Sequence, residues 1–265
     1  MNASRAGAGQ GVPGEVRMQS VVRLTRSATS VQATKGQRRS ELLVQIYLRL
    51  LAAYGPQHWW PADEPFEVMV GAVLTQSTAW TNVAKAIRNL KEAQAMSPEA
   101  IRRLGLDRLA ALIRPSGYYN VKSRKLMALV SWLGEHKDDL AGVFEESVPQ
   151  LRGELLRIYG IGEETADSIL LYAGGKRVFV VDAYTRRIIG RVGVKPPDDS
   201  YSSVQALFES ALSVDAPIFN EYHALLVEHC KRYCRKVPQC PGCPLLELCK
   251  YGRASQRKSR RSCPV

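Results

Sequence analysis

The first 229 residues of this 265-residue chain contain no cysteine. A secreted disulfide framework would spread its cysteines through the fold, so that class is excluded. No apolar run approaches the roughly 18 residues that suggest a membrane span. The N-terminus also lacks the apolar core of a secretion signal, which leaves a cytoplasmic location and no membrane partner as the expectation. Strand-like composition is scarce: only KRVFVV, residues 176–181, has it. Outside its two ends the chain lacks a charge excess. Residues 1–40 carry seven Lys/Arg and one acid, and residues 251–265 carry five Lys/Arg and no acid. The 210 residues between them hold 25 basic and 24 acidic side chains. Most of the formal charge of +12 thus sits in two tails, and total charge alone is weak evidence for a nucleic-acid-binding core.

What is present is helical. Hydrophobic residues make up 45% and charged residues 23%, a balance that supports a sizeable core and excludes collagen-like or wholly disordered chains. Residues 1–39 are rich in Gly, Ser, Ala, Gln and Arg and read as a disordered basic arm, with Met18 an alternative start to Met1. From Ser40, ELLVQIYLRLLAAYG has apolar positions at helical spacing and a terminal glycine. PFEVMVGAVL predicts a buried helix, with a polar break near Gln76–Thr78 and a second helix beyond it. Short helices follow, opened by Ser97 and Asp107 and closed by Gly105 and Gly117. Helical spacing continues to YHALLVEHCKRYC, and residues 251–265 form a basic tail. The expected class is all-α, with many short helices.

Three features carry chemistry. Cys234, Cys240, Cys243 and Cys249 place four soft ligands within sixteen residues, a spacing that suits zinc or an iron–sulfur cluster. Cys230, one helical turn before Cys234, is a spare ligand or core, and Cys263 in the tail reads as free. Gly160-Ile161-Gly162 in RIYGIGEETADSIL allows a tight turn whose N–H groups can hold a phosphate oxygen. Asp182 emerges from VFVV and opens AYTRRIIG, the position of a helix N-cap, which also positions it rigidly for chemistry. Finally, Trp59, Trp60 and Trp80 fall within 22 residues, concentrating flat aromatic surface either for helix packing or for holding a planar ligand.

GIGEETAD followed by VVDAYTRR and a four-cysteine cluster resembles the helix-hairpin-helix DNA glycosylases of the endonuclease III type. GYYNVKSRKL at 117–126 and VLTQSTA at 73–79 share the likeness, which covers nearly all of residues 40–250. The resemblance implies a two-domain all-α fold: residues 63–176 as a six-helix domain, and residues 40–62 with 177–250 as a cluster domain. It further implies a [4Fe–4S] cluster on Cys234, Cys240, Cys243 and Cys249, although Cys234 and Cys240 enclose five residues where the family usually has six. His229 and the later cysteines keep the family register, so a one-residue loop deletion accounts for this.

The same resemblance assigns site residues. Asp182 takes the position of the family's catalytic aspartate. Bifunctional members carry a Schiff-base lysine two residues after the second hairpin glycine, where this chain has Glu164. A carboxylate cannot form an imine, so a monofunctional enzyme is implied, one that hydrolyses the glycosidic bond and leaves an abasic site. Trp59, Trp60, Pro61 and Trp80 match the base-sandwiching positions of the 3-methyladenine glycosylase III branch, which also has Glu after its hairpin. Gln76 matches a residue that fills the gap left by a flipped base, and Gly160, Ile161 and Gly162 match the DNA-binding hairpin. The expected partner is double-stranded DNA with damaged bases, alkylated purines favoured, bound by a monomer. The alternatives are an endonuclease III-type glycosylase and abasic-site lyase acting on oxidised pyrimidines, and a non-catalytic protein that binds damaged DNA.

Overall fold

The computed structural model describes residues 34–212 and 216–261, and among these every regular element is helical. Residues 1–33 of the expected arm, and Cys263, lie outside the described residues. The expected boundary at Ser40 moves: helix α1 runs Lys35–Tyr54, opened by a reciprocal capping box between Thr34 and Gln37. Its apolar face buries Leu43, Ile46 and Leu50 against two helices from the other end of the chain, α10 (Tyr201–Ala211) and α11 (Ala216–Arg232).

The middle of the fold is α2 (Pro65–Leu74), which buries nine of its ten residues, as PFEVMVGAVL with its apolar surround requires. Around it pack α3 (Trp80–Glu92), α5 (Tyr119–Glu135) and α8 (Glu163–Ser168). Buried Lys122 closes its C-terminal end, donating from Nζ to the carbonyls of Leu74 (2.8 Å) and Ser116 (2.7 Å). The two short helices expected around Gly105 form one element, α4 (Pro98–Leu112), kinked where Gly105 takes φ 70°. Between α5 and the hairpin lie α6 (Leu140–Glu145), which the sequence pattern did not resolve, and α7 (Val148–Arg157).

After α8 the helix widens into a π turn, Ile169–Ala173. Such turns insert one residue and often accompany functional sites. Residues 176–181 form no strand. Val178, Phe179, Val180 and Val181 are each at most 3% exposed, and side chains replace the missing partner strand. Glu209 accepts from Phe179 N (3.0 Å), Tyr201 OH accepts from Val181 N (3.2 Å), and Gln205 Nε2 donates to Phe179 O (2.7 Å). Helix α9 (Ala183–Val192) follows. Residues 251–261 of the expected basic tail are helical, within α12 (Lys250–Arg261), which packs on α9; residues 262–265 lie outside the described residues.

Gln205 also donates to Asp167 Oδ2 (2.8 Å), the fully buried carboxylate of GIGEETAD that Arg152 grips through two nitrogens. Gln205→Ala strands a buried carbonyl and weakens that network, so we expect a loss of about 1–3 kcal/mol. Urea denaturation reads the loss, and the far-UV circular dichroism of the folded protein stays unchanged.

Candidate active site

The aromatic residues at 59, 60 and 80 gather into one cluster. Trp60 meets Trp59 at 5.3 Å and Trp80 at 5.2 Å between ring centroids, the latter edge-on at 87°. A Cβ added at Gly71 would lie 3.1 Å from Trp60 Cζ2, so this glycine lets the indole lie close against α2. All three Trp rings are half-buried and Pro61 is exposed. Trp60 continues onto Tyr172 of the π turn, 5.1 Å away, which no sequence spacing had connected to it.

Tyr172 leads to the aspartate. Its hydroxyl meets Nδ1 of His223 on α11, and His223 Nε2 lies 3.6 Å from Asp182 Oδ2. Asp182 caps α9, as its position in the sequence implied: Oδ1 accepts from Thr185 N at 2.7 Å. The Asp182 side chain is only 12% exposed. Burial acts to raise its pKa, but the positive field of His223 and the Thr185 N–H outweigh that and hold the carboxyl below its usual range. Glu164, at the start of α8, faces the same group. Partial desolvation and then the Asp182 charge push its carboxyl up. Charge beside Asp182 therefore works in both directions, and His223 is the member that sequence reading missed. Nothing in local spacing marks it, since it lies forty-one residues beyond Asp182 on another helix.

The hairpin joins α7 to α8. Gly160 adopts φ +80°, open to glycine, whereas Gly162 is extended at φ −99° and a Cβ there would meet nothing within 4 Å. Of the two glycines that allow the tight turn, only Gly160 therefore uses a conformation that favours glycine. Ile161 is buried and anchors the turn in the core, and Gly162 is exposed. Gln76 is engaged with this hairpin: its Nε2 donates to Gly160 O (3.1 Å) and Thr165 Oγ1 (2.9 Å), and its Oε1 accepts from Lys125 Nζ.

The loop between α11 and α12 brings Cys234, Cys240, Cys243 and Cys249 onto one cavity, with Arg191 and His229 also lining it. Cys234 lies just past the end of α11 and is fixed by its N–H to His229 O (3.0 Å). N–H groups point at sulfur: Arg191 donates to Cys234 Sγ at 3.2 Å and Gly252 N to Cys249 Sγ at 3.3 Å. The neighbouring Cys230 thiol and then Arg191 bring the Cys234 thiol down to about 6. Burial holds His229 down to about 4, so it is neutral at pH 7, with Nδ1 on Tyr54 OH and Nε2 3.7 Å from Cys243 Sγ. Cys230 does not line this cavity: it is 2% exposed, with its thiol between Cys234 and the Tyr184 carbonyl. Four thiols, N–H donors and one shared cavity fit a thiolate-bound metal centre.

Residues 70–213 match the family model of the HhH-GPD superfamily base excision DNA repair proteins. The chain belongs to that family. It is 45% identical over 212 residues to a protein of Methanocaldococcus jannaschii named as a DNA repair glycosylase, a match covering 79% of this chain and 96% of the relative. Endonuclease III of Escherichia coli K12 is 27% identical over 191 residues, covering 71% and 85%. Among solved structures, H. pylori 3-methyladenine DNA glycosylase bound to 1,N6-ethenoadenine superposes with a TM-score of 0.65 at 31% identity, covering 73% of this chain and 97% of that one. An endonuclease III trapped covalently on DNA gives 0.68 at 25% identity, covering 85% and 100%. The HhH-GPD fold and a base-excision glycosylase lineage are thereby shown.

The depressed pKa of Asp182 ties its charge to stability. Its stabilising contribution is present above the unfolded value near pH 4 and is lost as pH falls through the lower folded value. Asp182→Asn, which keeps a cap acceptor, should therefore lose less stability than the natural protein between about pH 5 and about pH 2. Asp182→Ala also loses the cap and should be about 1 kcal/mol less stable than Asp182→Asn. Urea midpoints across that pH range measure both effects.

Proposed function

We propose that this family member is a monofunctional DNA glycosylase that hydrolyses the N-glycosidic bond of damaged bases in duplex DNA, with alkylated purines preferred. The observation that carries the reading is the continuous path from Trp60 through Tyr172 and His223 to Asp182, beside a hairpin helix that offers the carboxylate of Glu164 and not an amine. A base turned out of the duplex would stack on the indoles. As the bond from C1′ to the base nitrogen breaks, its electron pair leaves with the base and the sugar becomes cationic. The ionised Asp182 would stabilise that charge and orient or deprotonate the water that adds to C1′. A purine alkylated at N3 or N7 already carries positive charge in the nucleotide, so it needs little help in leaving. An electron-poor purine also stacks well on electron-rich indole. The hairpin at Gly160–Gly162, exposed at Gly162, would take a backbone phosphate. The likeness to a 3-methyladenine glycosylase holding an ethenoadenine supports the lesion class.

A [4Fe–4S] cluster on Cys234, Cys240, Cys243 and Cys249 completes the reading. When bound, it would supply four iron–thiolate bonds that tie the loop to one centre. Arg191 and Gly252 would hydrogen-bond its sulfur ligands.

Duplexes bearing 3-methyladenine, thymine glycol or uracil separate the readings. We expect release of 3-methyladenine with strand breaks only after alkali, and no covalent complex on borohydride treatment. Cleavage without alkali, or borohydride trapping, would overturn the monofunctional assignment in favour of a lyase. Asp182→Asn should lower single-turnover excision by on the order of 100-fold or more while DNA binding persists. Near-normal excision would reduce Asp182 to a helix cap. For the metal centre, the purified protein should be brown with about four irons per chain. Cys240→Ser should lose the iron and Cys230→Ser should keep it, whereas a colourless protein with stoichiometric zinc would sink the cluster.

A further inference from the structure

The two oxygens of Asp182 are held by different parts of the fold. Oδ1 is tied to the first turn of its own helix by Thr185 N, and Oδ2 faces the imidazole of His223 across 3.6 Å. The imidazole is 7% exposed, and its Nε2 is buried with no hydrogen-bond partner among the described residues. Its other nitrogen, Nδ1, is bonded to Tyr172 OH. Burial and the nearby Asp182 charge hold the Tyr172 phenol in its protonated form, so the hydroxyl is available to donate to Nδ1. When it does, the ring proton must sit on Nε2, the nitrogen that faces the carboxylate. At 3.6 Å this N–H falls just short of a direct hydrogen bond. A small shift of the ring or of Oδ2 closes the gap.

We propose that His223 is a positioning residue for Asp182, linking the aromatic wall at Trp60 and Tyr172 to the carboxylate and fixing the direction of Oδ2 through its Nε2–H. This rests on the glycosylase reading above and adds to it a residue that touches neither base nor sugar. Tyr172 sets which ring nitrogen carries the proton, and Trp60, packed 5.1 Å from Tyr172, sets where Tyr172 stands. A ligand that moves Trp60 therefore bears on the aspartate through two intervening residues, Tyr172 and His223. The charged and titratable groups that face the ring are Asp182 from α9, Tyr172 from the π turn and Glu164 from α8. Glu221, two residues earlier on α11, acts electrostatically on Tyr172. When the ring takes a second proton, Nδ1–H donates to the Tyr172 oxygen instead, Nε2–H still faces Oδ2, and the charge of the ring favours the ionised form of Asp182.

The test compares His223→Leu and His223→Gln by single-turnover release of 3-methyladenine across pH, with DNA affinity measured in parallel. His223→Leu should lower the plateau rate by about tenfold at unchanged DNA affinity. It should also move the acid limb to higher pH, because Asp182 then protonates more readily. His223→Gln retains an N–H for Oδ2 and should recover most of the plateau rate, but not the position of the limb. A lowered plateau with an unmoved limb would mean that His223 only packs, and would overturn the proposal. A second measurement needs neither substrate nor a folded His223 variant. The chain has four histidines, and nitrogen-15 spectra can read which ring nitrogen of each carries a proton in the natural protein and in Asp182→Asn. One histidine should show its proton on Nε2 in the natural protein, and its nitrogen-15 resonances should shift once the carboxylate is gone. If none moves, His223 and Asp182 are uncoupled and the proposal fails. If the natural protein releases no base at all, the glycosylase reading fails instead, and the histidine spectra still decide the coupling.

Discussion

A carboxylate that is only 12% exposed must be compensated, and Asp182 is the group around which this fold meets that demand. Three different elements contribute. Helix α9 offers its N-terminal N–H groups and the positive end of its dipole, α11 brings His223, and the π turn brings the tyrosine that orients His223. Were any of these displaced by an ångström or two, the aspartate would protonate or turn toward solvent. The burial of α2 on nine of its ten residues serves the same end, because the π turn and α8 are both packed on it.

Helix α9 extends this constraint to the cysteine loop. Ten residues span about 15 Å, with Asp182 capping one end and the thiols gathered at the other. Arg187 and Arg191 reach from the helix to the Cys234 carbonyl and sulfur, and Cys249 Sγ is directed at the Arg191 carbonyl. Gly193 ends the helix in a left-handed conformation at φ 94°, with the Lys250 side chain folded over it. A metal centre at this loop would thus act as a fixed stop for the helix that aims the aspartate.

The side chains that adjoin this buried carboxylate are densely aromatic. Three indoles and Tyr172 meet within ring distances of 5.1–5.3 Å, and Trp60 Nε1 is buried with no hydrogen-bond partner among the described residues.

Much of the molecule was legible in order along the chain, because helices, caps and cysteine spacings are local. Periodicity marked α2, α3, α5 and α11, Asp182 stood where a cap belongs, and four cysteines lay close enough to share a centre. Where local rules failed, a distant partner had decided the outcome. Residues 176–181 have the composition of a strand, yet Tyr201, Gln205 and Glu209 of α10 satisfy their backbone, so no second strand is needed. The segment after Thr34 looked like disordered arm, but a capping box and a bond from Arg39 to Lys195 O draw it into α1. Gly160 and Gly162 look alike in the sequence, and only the folded hairpin shows that of the two Gly160 alone takes the left-handed region. The tie from Trp60 to Tyr172, His223 and Asp182 spans more than 160 residues of sequence. It has no periodicity to betray it, since it exists only once α2, α9, α11 and the π turn pack together.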